Sequence, residues 1–338
     1  MFKDHLQTII HRKDLTEHQM TEVIETIFAG DLTDVQIGAF MAALATKGET
    51  FEELAGAARA MRRNALKIQT TAPTVVDTCG TGGDGAQTFN ISTTTAFVVA
   101  GCGVSVAKHG NRSVSSRCGS ADLLEALGVA LDCPPETVEA AVTEIGIGFL
   151  FAPIYHGAMK YAANARQEVG LRSIFNMLGP LTNPAGANCQ LLGVYAPALT
   201  EMVASALKRL GARRALVVHG HDGLDEISIC APTRVSELSD GRIRTYDIHP
   251  EPFFGETADP ADLSGGDPVQ NAAITRQILG GDTGPRRHIV LINAAAALVA
   301  AGKATNLKDG IPLAEEAIDS GRALEKLDDL IRFTRENR

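Results

Sequence analysis

The sequence contains no tryptophan, and aromatic residues fill only 5% of its 338 positions. Little material is therefore present for the stacking platforms on which single-stranded nucleic acids are held. Basic charge is also scarce: 31 Lys and Arg stand against 40 Asp and Glu, a net charge of −9. That balance disfavours a general nucleic-acid or anionic-membrane partner. Long apolar runs are missing. Residues 85–107 carry no charge but include Gln87, Asn90 and repeated Ser and Thr, and residues 289–302 are apolar over only 14 positions. Neither supplies the ~20 apolar residues of a spanning helix. The N-terminus, Met1-Phe-Lys-Asp-His-Leu, has no apolar core followed by small residues, so a cytoplasmic protein without a secretory leader is expected. The six cysteines (Cys79, Cys102, Cys118, Cys133, Cys189, Cys230) form no Cys-x-x-Cys pair, which argues for free thiols and against a structural zinc.

What remains is an ordinary globular composition, 45% hydrophobic and 21% charged, which argues against disorder and at this length suggests about two domains. The first 70 residues read as helices only. Thr16-Glu-His-Gln19 and Thr50-Phe-Glu-Glu53 fit the capping-box pattern, in which a hydroxyl and a side chain three residues on satisfy free backbone N–H groups. Between them Leu32-Thr33-Asp34 opens an apolar periodic run that Gly48 closes. Beyond Pro73 the texture alternates between strand-like and helix-like runs. Val75–Cys79, Val104–Ala107, Gln190–Tyr195, Ala215–His219 and Ile289–Ile292 read as strands. Ser120–Leu127, stopped by Gly128, and the run from Pro134 read as helices. Ser239-Asp-Gly241 sits between two β-like runs of 233–248 and reads as a hairpin. Residues 314–335 have helical periodicity and are expected to pack on the sheet. The alternation predicts an α/β layer with a mainly parallel sheet behind a small all-helical N-terminal part.

The chemistry concentrates between Asp77 and Gly128. Cys79-Gly-Thr-Gly-Gly-Asp-Gly85 follows a strand directly and places four glycines in six positions, which lets backbone N–H groups approach an anion. Asn90-Ile-Ser-Thr-Thr-Thr95 then opens a helix-like run, setting hydroxyls and free N–H groups where the helix dipole favours phosphate. Gly80-x-Gly82-x-x-Gly85 matches the dinucleotide fingerprint, but that fingerprint needs an acid about 20 residues later for the ribose. From Gly85 to Ala121, 37 residues, there is no Asp or Glu, while Lys108, His109, Arg112 and Arg117 all fall within the stretch. A segment without acids and rich in hydroxyls suits several phosphates better than a nicotinamide ribose. No Gly-x4-Gly-Lys-Ser/Thr occurs, so a Walker loop is excluded. Lys108-His-Gly-Asn-Arg-Ser-Val-Ser-Ser116 reads as a loop after the second strand, where open α/β sheets bind ligands. Lys108 can neutralise a phosphate, and Ser115 and Ser116 can donate to its oxygens. Gly223-Leu-Asp-Glu226 brings adjacent carboxylates that suit Mg2+ on a polyphosphate. His219 and His221 read as structural.

Taken together these residues resemble the anthranilate phosphoribosyltransferases of tryptophan biosynthesis over essentially the whole chain. The resemblance rests on the helical start, Gly80-Thr-Gly-Gly-Asp84, Asn90-Ile-Ser-Thr93, Lys108-His-Gly-Asn-Arg112 with Ser115-Ser116, Gly119-Ser-Ala-Asp122 and Asp225-Glu226. Its most discriminating part is Arg172-Ser-Ile-Phe-Asn-Met-Leu-Gly-Pro-Leu-Thr-Asn-Pro184. The resemblance implies a nucleoside-phosphorylase-like α/β fold with a discontinuous helical domain, residues 1–70 with a piece around 161–184. The α/β domain would then take residues 73–160 and 185–338. It implies anthranilate, phosphoribosyl pyrophosphate and Mg2+ as ligands, and a homodimer through the helical domain. Carried over by position, Gly80, Gly83, Asp84, Thr88, Asn90, Ile91, Ser92 and Thr93 would hold the pyrophosphate and ribose. Lys108, His109, Gly110, Asn111, Arg112, Ser113, Val114, Ser115, Ser116 and Ser120 would grip the phosphates. Gly80, Asn111 and Arg166 would contact anthranilate, an arginine suiting its carboxylate. Ser92, Asp225 and Glu226 would bind the metal. No Ser–His–Asp or Cys–His set is offered, and none is needed, because an aromatic amine is unprotonated at neutral pH. One departure is His156-Gly-Ala-Met159, where the family has His-Pro-Ala-Met; glycine loosens the start of that helix. A pyrimidine nucleoside phosphorylase and a non-catalytic, nucleic-acid-binding paralogue are the competing readings. The first is typically longer and lacks the 172–184 signature, and the second would be expected to lose the 225–226 carboxylates.

Overall fold

Threonine caps set the beginnings of the N-terminal helices. These are α1 (Phe2–Ile10), α2 (Glu17–Phe28), α3 (Asp34–Lys47) and α4 (Phe51–Asn64). Thr16, Thr33 and Thr50 each accept from the N–H three residues on, and Gln19, Gln36 and Glu53 return the bond. Gly48 ends α3 at φ 89°, a value that costs a glycine little. This is a computed structural model, and it describes residues 1–113 and 117–338.

The α/β part follows in chain order as β1 (Val75–Gly80), α5 (Ile91–Gly101), β2 (Ser105–Gly110), α6 (Ser120–Leu127), α7 (Pro135–Glu144), β3 (Ile147–Phe151) and α8 (Ala152–Tyr155). A 3-10 turn, Gly157–Met159, leads into α9 (Lys160–Val169) and α10 (Ile174–Leu181). Then come β4 (Cys189–Gly193), α11 (Leu199–Arg209), β5 (Arg214–Gly220), β6 (Thr233–Ser239), β7 (Arg242–Ile248) and α12 (Glu251–Phe254). The chain ends with α13 (Pro268–Leu279), α14 (Pro285–Ala301), α15 (Leu307–Asp319) and α16 (Arg322–Glu336). α9 packs on α2 and α3, and α10 on α3, α4 and β2, so the later helices join the N-terminal ones.

The sheet has the order β3-β2-β1-β4-β5-β6-β7. Its first five strands are parallel, and β6 and β7 add an antiparallel hairpin. Asp240 and Gly241 turn that hairpin with φ 51° and 71°, the sign that matches strand twist. The sheet is therefore mainly parallel, as the alternation of runs predicts. Ile289–Ile292 is not a strand. It lies inside α14, which starts at Pro285, continues through Ala294–Ala297 and is buried on nearly every side against α5, β1, β4 and β5. Burial all round removes the polar face that would have marked a helix, and a short apolar run then mimics a strand. Residues 314–335 form two helices, broken at Gly321 with φ 79°. They pack mainly on α5 and α14, the helices that cover the sheet, although α16 also meets β3. No helix among the described residues is long and apolar enough to cross a membrane.

Candidate active site

Strand order leaves a crevice between β1 and β4. The chain goes from β1 outward to β2 and β3 on one side, and from β4 to β5 on the other. Ligands of open parallel sheets bind at such a reversal, beyond the strand C-termini. Here both strands end in glycine, and Gly80 and Gly193 are register partners. The space their missing side chains leave is filled by Asp225. A Cβ on Gly80 would overlap the Asp225 carboxylate, and one on Gly193 would overlap the Asp225 main-chain carbonyl. The Gly82 N–H donates to Asp225 Oδ2 at 2.7 Å, and the Thr81 N–H to the Gly193 carbonyl at 2.9 Å. Two strand-end glycines thus form a notch that seats the acidic loop. Gly193→Ala is expected to push that loop outward and lower kcat/KM by about a hundredfold, the cost of an ångström-scale misplacement. Steady-state kinetics beside a thermal melt checks it, and a variant with unchanged kinetics would refute the notch.

Charge in the crevice is unbalanced. Glu226 is buried and receives the Ser92 N–H. Burial, then the neighbouring Asp225, pushes its carboxyl well above the usual range. Asp225 is half-buried and is pushed up to about 7, first by burial and then by Asp84, whose carboxylate presses against it. Asp77, fully buried on β1, is pushed up to about 6 by burial although Lys108 opposes the shift. The Lys108 ammonium is the nearby counter-charge. It is 4% exposed, donates to the Thr78 carbonyl and lies 3.4 Å from Ser92 Oγ. Burial lowers its pKa, while Asp77, Cys79, Glu226 and Asp225 hold it up. Lys108, His109 and Gly110 belong to β2 itself rather than to a loop after it, which is why the lysine is buried instead of solvated. Hard oxygens that lean toward protonation for want of positive charge fit a hard divalent cation such as Mg2+. No group of three or more His, Cys, Asp or Glu side chains among the described residues is placed to hold an ion alone. A cation here would complete its shell with substrate oxygens and water.

The glycine loop arches over this cluster with Gly82, Gly83 and Gly85 at φ 66°, 79° and 76°. Asp84 caps the Ala86 N–H at 3.3 Å, and Thr88 forms an isolated bridge with Ser264. α5 begins just beyond. Its N-cap residue Asn90 does not cap with its side chain, which instead donates to the Cys118 carbonyl and accepts from Asn271. Thr93 Oγ1 is buried with no hydrogen-bond partner among the described residues. After β2 the Ser120 hydroxyl bonds both backbone groups of Asn111 at 3.2 Å, and the Asn111 side chain receives the Arg112 N–H at 2.7 Å. Arg112 is engaged by Asp122 and Glu125 at 3.0 and 2.8 Å, and the Ser113 N–H is held by Asp122. Val114, Ser115 and Ser116 lie outside the described residues.

Two further groups lie on β2 and on the segment that follows β3. His109 and His156 meet Nε2 to Nε2 at 3.2 Å, and His109 Nδ1 contacts the Gly179 carbonyl at 3.0 Å. Burial pushes the two imidazoles down to about 3 and 4, so both are neutral at physiological pH. Arg166 projects from α9 with its guanidinium 5.6 Å from the Phe175 ring centroid. Burial lowers its pKa, and it has no carboxylate partner among the described residues. Gly157 stands in open space. Sequence reasoning misses the notch glycine Gly193 and the guanidinium of Arg172, which reaches the Gly83 carbonyl. A glycine within the Gln190–Tyr195 run is the available signal for the first.

Carboxylates, a buried lysine and a glycine loop at a strand-order reversal make a candidate site with the chemistry to suit a metal-complexed polyphosphate. Comparison with known proteins narrows this. Residues 72–324 match the α/β domain of a glycosyl transferase family, and residues 3–65 its helical bundle domain. An anthranilate phosphoribosyltransferase of Desulfosudis oleivorans is 70% identical, with 100% of each chain covered. The crystal structure of the Thermus thermophilus enzyme of that name is 45% identical with a TM-score of 0.93, over 98% of this chain and 99% of that one. The Saccharomyces cerevisiae enzyme, solved in complex with PRPP and Mg, is 29% identical with a TM-score of 0.90, over 99% and 98% of the two chains. The same yeast enzyme has been solved with 4-fluoroanthranilate. The chain belongs to the anthranilate phosphoribosyltransferase family.

Proposed function

We propose that this protein transfers the phosphoribosyl group of phosphoribosyl pyrophosphate to the amine of anthranilate, releasing pyrophosphate. The observation that carries the proposal is the Asp225–Glu226 pair seated beside Lys108 beneath the glycine loop, in a chain 70% identical to a relative of that name. The relatives favour this reading over a phosphorylase or a nucleic-acid-binding paralogue. Asp225, Glu226 and Ser92 are the residues proposed to hold Mg2+, which when bound offsets charge on the pyrophosphate leaving group. Gly80, Gly83, Asp84, Thr88, Asn90, Ile91, Ser92 and Thr93 are the proposed pyrophosphate and ribose contacts. Lys108 to Ser113, with Val114 to Ser116 and Ser120, make the proposed phosphate grip. The residues position the donor so that the amine approaches the anomeric carbon in line. Gly80, Asn111 and Arg166 are proposed to orient anthranilate. A half-buried guanidinium with no carboxylate partner among the described residues suits its carboxylate.

The helical part (1–70 with 161–184) and the α/β part (73–160 and 185–338) are the proposed domains of a cytoplasmic enzyme. Exposed Ile10 and Val35 on α1 and α3 support a homodimer through the helical part, expected as twice the chain mass in light scattering.

Mixing protein, anthranilate, phosphoribosyl pyrophosphate and Mg2+ should deplete anthranilate fluorescence, with no loss when protein, phosphoribosyl pyrophosphate or Mg2+ is omitted. A flat trace from folded protein would sink the reading. Arg166→Ala should raise the KM for anthranilate about ten- to hundredfold, the worth of a charged hydrogen bond, and leave donor affinity by calorimetry unchanged. Equal weakening of both substrates would remove Arg166 from the acceptor side.

A further inference from the structure

Arg172 lies between α9 and α10, on the side of the molecule that carries Arg166. Its guanidinium reaches across to the carbonyl of Gly83 in the glycine loop after β1. The same group lies over the Tyr195 ring, 4.6 Å from its centroid, just past the end of β4. Gly83 is one of three loop glycines with positive φ, so the loop has little intrinsic stiffness. A Cβ at Gly83 would stand 3.4 Å from the Arg172 Nη2, so the guanidinium packs closely on the loop. A cation on the Gly83 carbonyl also polarises the peptide that ends in the Asp84 N–H, making it a better donor to an anion. Arg172 has no carboxylate partner among the described residues, so this bond is not shared with an ion pair. The aromatic face supplies the second support.

We propose that Arg172 is a positioning residue for phosphoribosyl transfer: it fixes the glycine loop through the Gly83 carbonyl, braced on Tyr195, and ties the donor loop to the acceptor-side segment. The proposal rests on the transferase reading above but predicts a loop property that does not depend on it. Arg172→Ala should lower kcat about ten- to hundredfold, the loss of one charge-assisted hydrogen bond, with the KM for anthranilate nearly unchanged. Millimolar guanidinium should restore part of the lost rate in Arg172→Ala and none in the native protein. Tyr195→Phe keeps the stacking face and should behave as native, whereas Tyr195→Leu should resemble a mild Arg172→Ala. Hydrogen exchange supplies the readout that needs no turnover: amides of residues 81–86 should exchange faster in Arg172→Ala, with the sheet unchanged. Unchanged exchange in that loop would overturn the proposal even if the protein proved inactive toward anthranilate. So would a rate loss that guanidinium does not relieve and that tracks a lowered melting temperature.

Discussion

Asp225→Asn is expected to make the protein more stable and almost inactive. At pH 7.5 the metal-free variant should melt a few degrees above the native protein, while transfer at saturating donor and Mg2+ falls by about a hundredfold or more. The stability half follows from proton linkage. The Asp225 carboxyl titrates near 7 in the fold and near 3.9 in an unfolded chain. Between those values the native state holds a proton that the unfolded state releases, so native stability falls as pH rises from about 4 to about 7. Above that window the fold carries the full cost of the buried charge, which exceeds that of a neutral unsatisfied group. Asparagine carries no charge and can still accept the Gly82 N–H. Melting curves from pH 4.5 to 8 would check this: the native curve should decline across the window and the variant's should stay flatter. Addition of Mg2+ with donor should raise the native melting temperature and leave the variant's unmoved. A variant that is less stable at pH 7.5 would refute the account of a site held under electrostatic load.

Lys108→Met should produce the opposite stability change with the same loss of function. The methionine fills most of the lysine's volume but removes the buried cation that Asp77, Asp225 and Glu226 share. Taking one partner from a buried charge cluster costs about 3–5 kcal/mol. The loss should shrink at pH 5, where the three carboxyls take up protons, and be fullest near pH 8. Chemical denaturation at the two pH values measures it. Equal losses at both would mean that the ammonium acts through packing alone. Activity should not return at low pH, because protonated carboxyls cannot hold a cation. Asp225→Asn and Lys108→Met therefore bracket the site, one relieving excess negative charge and the other exposing it.

Local signals in the sequence carry much of the fold. Thr16 and Thr50 announce their helices because a capping box is complete within four residues. The strand ending at Gly80 and the hairpin at Asp240-Gly241 are legible for the same reason. The misreading at Ile289–Ile292 comes from the opposite condition, a helix whose environment is apolar on all sides. Ile147–Phe151 is not legible as β3, since five residues after a glycine do not reveal a partner strand. In the site, the clustering of Asp225 and Glu226 with Ser92 and Lys108 follows from loops that converge at strand ends. The burial of Lys108 does not follow, because a strand's last residues look like the first residues of a loop. The contacts of Gly193 and Arg172 are silent for a different reason, although the resemblance singles out the segment that Arg172 opens: each meets a partner distant in sequence, and only the assembled fold brings them together.

The notch at Gly80 and Gly193 has a consequence for how such a molecule can change. The proposed donor site is anchored to the backbone at the centre of the sheet, where at Gly80 and Gly193 any side chain larger than hydrogen collides with Asp225. Arg166, the group proposed to meet the acceptor's carboxylate, stands instead on α9, most of whose residues are at least partly exposed. One part of the machine is frozen by sterics and the other is free to drift. Changes around Arg166 on α9 are therefore expected to alter acceptor choice while the proposed donor site is kept.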